Sequence, residues 1–223
     1  MPTAKERLSH LLELAAEGPA QRAALLDELA DLVLDWPPDC PAAMRPPLLA
    51  LFEITVREAD DETRARLATR LCGHSELPLS LVNEFYLAAP ARLRREILTR
   101  NQFVHDDDAD SDTVAADARA LLAAARDAAP RDFAATFGCT IGIPRRIAQT
   151  ILSDASGEAL AVLCKGAQLD RATYSALVLL KSKAGEAQLP VFDTVPQHAA
   201  ERLTRHWRTH AASPGHAQAA AAE

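Results

Sequence analysis

Apolar residues recur every three or four positions along most of this chain, and Pro, Gly or Asp interrupts the pattern at short intervals. That period is the signature of amphipathic helices. Leu8, Leu11, Leu12 and Ala15 predict a first helix, opened by Thr3-x-x-Glu6, a capping box in which hydroxyl and carboxylate each satisfy a backbone N–H. Gly18-Pro19 ends it and starts a second, in which Leu25, Leu26, Leu29 and Val33 lead to Trp36-Pro37-Pro38. The two read as a helical hairpin. The segment Pro37 to Pro47 reads as a non-helical connection into a helix with Leu48, Leu51, Phe52 and Thr55 on one face. Asp60 is placed to cap the next helix, with Leu67 and Leu71 inward and Gly73 as its stop. Pro78 to Ala88 then carries Leu81, Val82, Phe85 and Tyr86, and Pro90 restarts the chain with Leu93, Ile97 and Leu98 inward. Pro and Gly thus fall at helix edges, where a missing N–H or a free φ costs least.

The run Asp106-Asp107-Asp108-Ala109-Asp110-Ser111-Asp112 breaks the order, because adjacent carboxylates repel and Asp is a poor interior helix former. Beyond it, Thr113 to Ala129 carries Val114, Leu121 and Leu122, and Asp132 to Phe137 forms a further helical stretch. Three units follow on one template: Ile143-Pro144 to Ile151, Leu169-Asp170 to Leu177, and Val195-Pro196 to Leu203, each stepped by 26 residues from the last. A step of that size suits one helix plus its connection. The expected architecture is all-α, a superhelical stack of short antiparallel helices: hairpins over 1–105, an acidic loop over 106–112, a helical repeat region over 113–210 and a disordered tail over 211–223.

Composition agrees. The chain is 48% hydrophobic but only 4% aromatic, which favours Ala- and Leu-rich helix packing over a sheet sandwich. Its net charge of −7 argues against nucleic acid as the main partner, since phosphate binding rests on a basic face. No apolar run approaches the roughly 20 residues that span a bilayer. The start Met1-Pro2-Thr3-Ala4-Lys5-Glu6 lacks the apolar stretch of a secretory signal, so a cytoplasmic location is expected. Cys40, Cys72, Cys139 and Cys164 show no CxxC spacing and are expected to be small buried residues with free thiols.

Arg64-Ala65-Arg66-Leu67-Ala68, Leu77-Pro78 and Pro90-Ala91-Arg92-Leu93 resemble an uncharacterised alphaproteobacterial family of HEAT-like helical repeats, known only as a domain of unknown function. Gly157-Glu158-Ala159-Leu160 and Ala200-Glu201-Arg202-Leu203 to Trp207 resemble the same family, extending the likeness over most of residues 20–207. The resemblance implies a right-handed helical stack in a bacterial cytoplasm and implies no activity. The acidic insertion and the proline segment from Pro37 depart from a regular repeat.

The candidate chemistry is sparse. Arg64, Arg66 and Arg70 on one predicted helix, with Arg92, Arg94, Arg95 and Arg100 on another, form the densest basic region outside the C-terminal helix. Such a row can receive carboxylates or phosphates, or be a solvated face countered by Glu62, Glu84 and Glu96. His206 and His210 share a helix face at metal-ligand spacing, but Trp207-Arg208-Thr209 between them supplies no Glu, and a dipole-facing basic helix end explains them as well. Cys72-Gly73-His74 reads as a buried thiol before a helix stop, and the Asp run lacks the Gly and distal Glu of a calcium loop. Trp36 and Trp207 suit core or helix-end positions as well as interfaces. No phosphate loop, nucleophile elbow or dinucleotide fingerprint is present, and no catalytic residue, metal or cofactor is assigned.

The sequence therefore points to a noncatalytic interaction module for a protein or acidic peptide. The alternatives are a HEAT-like DNA-binding or DNA-glycosylase-type enzyme, and a homo-oligomer that covers its own repeat end.

Overall fold

A computed structural model describes residues 21–103, 116–127, 129–183 and 185–211, together with Glu6, His10, Leu11, Glu13 and Leu14. The expected capping box at Thr3, the acidic loop 106–112 and the tail from residue 212 lie outside the described residues. All regular structure among the described residues is helical. Contacts divide the chain into two compact units, Met1–Ile97 and Leu98–Glu223.

In the first unit, α1 (Arg22–Leu34) buries Leu25, Leu26, Leu29 and Val33, as their spacing predicts. The Trp36 indole then donates to the Cys40 carbonyl at 3.2 Å, closing the turn behind the helix. A 3₁₀ turn at Ala42–Met44 leads into α2 (Arg45–Arg57). Pro46 and Pro47 sit inside its first turn, where no N–H has a helical partner to lose, so this helix begins two residues before the expected connection ends. Its inward row is Leu48, Phe52, Thr55 and Val56. Leu51 was expected on that row but is 40% exposed, because the helical period turns it onto the neighbouring one with Met44, Pro47 and Ile54.

Asp60 caps α3 (Asp61–Leu71), its carboxylate accepting from the Thr63 amide at 2.7 Å. Thr63, Leu67, Ala68 and Leu71 face inward, and the helix packs on α1. The stretch after Pro78 is helical only over α4 (Leu79–Glu84), which packs on α2; Phe85 and Tyr86 are buried within the turns that follow. In α5 (Ala91–Phe103), Leu93, Ile97 and Leu98 are buried as expected.

In the second unit, α6 (Ala118–Asp127) lies on α7 (Pro130–Ile141) and on α10 (Arg171–Lys181). Between these come α8 (Arg145–Ser153) and α9 (Glu158–Gly166), and α11 (Val191–Thr194) and α12 (Gln197–Ala211) complete the set. The six template aliphatics, Ile143, Ile151, Leu169, Leu177, Val195 and Leu203, are all buried. The first 26-residue interval, however, holds a second helix rather than a simple connection. This is α9, buried without a break from Ala159 to Cys164 and touched by α8, α10, α11 and α12. A helix apolar on every side belongs in the middle of its unit, and α9 has no solvent stripe to announce it.

α12 reaches α9 through small residues. A Cβ placed on Gly166 would stand 2.0 Å from Thr204 Oγ1 and 2.4 Å from the Ala200 carbonyl oxygen, so only glycine admits this crossing. At its other end α12 closes α7: Gly142 ends that helix at φ +83°, and Arg208 Nε donates to the Ile141 carbonyl at 2.8 Å. Partial burial holds the Arg208 guanidinium below its usual pKa.

Candidate functional site

The seven candidate arginines divide by what already holds them. On α3, Arg64 pairs with Asp61, Arg66 with Asp27, and Arg70 with Asp31, with Asp27 at 4.0 Å. Asp27 and Asp31 belong to α1, so Arg66 and Arg70 tie α3 to the helix it packs on. The hydrogen bond to Asp27 also raises the Arg66 pKa. On α5, Arg94 turns back along the chain: its Nε donates to the Ala89 carbonyl at 2.9 Å and its Nη2 to the Leu87 carbonyl at 3.0 Å, with the guanidinium 5.6 Å from the Tyr86 ring centre. Arg94 therefore fastens the turn that precedes its own helix.

Arg92 and Arg95 are different. The Arg92 side chain is 82% exposed, with Glu96 Oε1 at 3.8 Å. Arg95 is also exposed and reaches the Ala91 carbonyl at a long 3.4 Å. One helical turn apart, both project from the solvent side of α5. Arg100 lies five residues beyond Arg95 and is half-buried.

Of the carboxylates expected to counter this region, Glu96 meets Arg92, whereas Glu84 meets Arg57 at 2.6 Å. Arg57 also pairs with Glu53 one turn earlier on α2 and so bridges α2 to α4. The Glu53–Arg57 spacing is visible in the sequence, but its link to Glu84 requires two helices to meet.

The remaining candidates take structural places. Cys72 is buried at the end of α3, and Trp207 is buried on α12. Burial pushes the Cys164 thiol far up, away from the reactive thiolate. Cys139 corrects the expectation for the cysteines: it is exposed, because it falls on the outward side of α7 between inward Phe137 and Ile141. His206 is half-buried, and the His210 side chain lies outside the described residues. No group of three or more His, Cys, Asp or Glu able to hold a metal occurs among the described residues.

Two structural ties in the second unit carried no local signal. Lys165 Nζ donates to the Val195 carbonyl at 2.6 Å and lies 5.0 Å from the Phe192 ring centre. Tyr174 donates to the Gln188 carbonyl at 3.0 Å, and burial raises its pKa to about 12.

Residues 108–214 match a family described as an uncharacterised protein conserved in bacteria (DUF2336). The match takes in α6 to α12 and begins beyond the arginine-bearing helices α3 and α5. It makes this part of the chain similar to a bacterial domain of unknown function. Comparison with curated proteins and with solved structures gives no match. Among the described residues, no helix is long and apolar enough to cross a membrane.

Proposed function

We propose that the chain is a noncatalytic interaction module, a stack of HEAT-like helical hairpins whose α5 face takes an acidic segment of another protein. The observation that carries this reading is the contrast within the arginine set. Arg64, Arg66, Arg70 and Arg94 are used in holding the fold, while Arg92 and Arg95 stand on the solvent side of a regular helix. Arginines at one-turn spacing offer forked donors to carboxylates, and in a chain of net charge −7 they are a local exception that can orient an acidic partner.

The test is affinity purification with quantitative mass spectrometry, comparing the full chain with its Arg92→Glu/Arg95→Glu variant. Proteins that bind through this face drop out of the variant's set, and the melting temperature stays close to that of the parent. Identical sets from the two chains would remove the reading. A gel shift of duplex DNA that survives moderate salt and disappears in the same variant would move the assignment to nucleic acid.

A further inference from the structure

α2 is apolar on more than its inward row. Between the start of α2 and the start of α4 runs an open groove of about 400 Å³. Ala42, Pro46, Leu49, Ala50, Pro78 and Leu81 line it. Its size falls within the range of clefts that receive ligands or partner side chains, roughly 300–1,000 Å³. Small Ala50 in the lining lets another helix approach closely.

The groove also carries charge. Its two charged lining residues are Arg45 and Glu53. They are eight residues apart on one helix, about 12 Å, with Leu49 midway between them. A second α2 laid antiparallel, with the two-fold axis at Leu49, brings Arg45 of each chain opposite Glu53 of the other. The match is made twice by one symmetry operation, as a two-fold interface requires. Parallel stacking of the same helices would set like charge on like charge.

Each group already holds one partner and keeps room for another. Among the described residues Arg45 pairs with Glu76 at 3.4 Å, and that carboxylate's side chain is 81% exposed. Glu53 holds Arg57 on the same helix, and a carboxylate has acceptor sites for a second guanidinium. We infer that the groove between α2 and α4 seats a second copy of this chain, which pairs antiparallel through α2.

The test uses the full chain in sedimentation velocity over a wide concentration range. The parent chain forms a dimer. Ala50→Arg, a change at an exposed position to a good helix former, weakens the dimer by roughly tenfold or more, and the dilute variant keeps the parent melting temperature. Arg45→Glu alone and Glu53→Arg alone each place two like-charge pairs across the interface and give monomers. Mixing these two variants pairs opposite charges at both positions and restores association.

A parent chain that stays monomeric throughout overturns the inference, as does a dimer indifferent to Ala50→Arg. Failure of the mixture to associate, with both variants folded, overturns the antiparallel seat. The outcome is separate from that of the acidic-partner reading, because none of these substitutions touches α5.

Discussion

Gln168 is the one non-glycine residue with positive φ among the described residues, at +58° just past the end of α9. Its conformation is demanded by a helix-ending motif in which the Leu169 amide donates to the Cys164 carbonyl at 2.8 Å and the Gln168 amide to the Lys165 carbonyl at 3.0 Å. Glycine does this without a Cβ penalty. Gln168→Gly is therefore expected to stabilise the chain by about 0.5–1 kcal/mol in urea denaturation. The caps give a pH dependence. The Thr63 amide and hydroxyl hold the Asp60 carboxyl below its ordinary pKa, and the Thr173 side chain and amide do the same for Asp170. A carboxyl whose pKa is lower when folded contributes stability that is complete above its unfolded pKa and is lost as pH falls through the folded one. Stability should thus decline below about pH 4, and an Asp60→Asn/Asp170→Asn variant should show a shallower decline across that window. Arginines 92 and 94 look alike in sequence, yet only the second holds two carbonyls. Arg94→Ala should cost about 1–2 kcal/mol, while Arg92→Ala should stay within about 0.5 kcal/mol of the parent.

At the scale of elements, the contact between α9 and α12 is the least forgiving. Gly166→Ala drives a methyl into both Thr204 Oγ1 and the Ala200 carbonyl. The expected cost is about 3 kcal/mol or more, read as a shift of the urea midpoint with unchanged slope. Adding Thr204→Ala should recover only part of it, since it removes the 2.0 Å clash and leaves the 2.4 Å approach to backbone. The helix starts were legible beforehand: Pro144, Asp170 and Pro196 each stand at the head of the helix they were expected to open. The partner of each helix was not. Nothing local in Glu158 to Gly166 says that α12 lies against it, and the spacing that marked the template aliphatics as inward gave no sign of α9 between two of them.

For the molecule as a whole, burial separates four chemically equal cysteines. Cys40, Cys72 and Cys164 are buried and Cys139 is exposed, so a maleimide should add once to the native chain and four times after denaturation, as read by intact mass. A Cys139→Ser chain that still took up label while folded would place one of the other three at the surface. The candidate site divides in the same way. Sequence marked out the arginines, but tertiary structure separated Arg92 and Arg95 from those that bind α1 or fasten a turn. It also made a groove where the sequence suggests only another apolar helix. What the sequence by itself determined is the all-helical class, most of the helix starts and most of the inward rows. Periodicity, capping and proline stereochemistry act within a few residues, and a single strand of text records them. Which charges are spent, which glycine is irreplaceable and which apolar side chains stay in water depend on what lies opposite in space, and only the packed chain decides that.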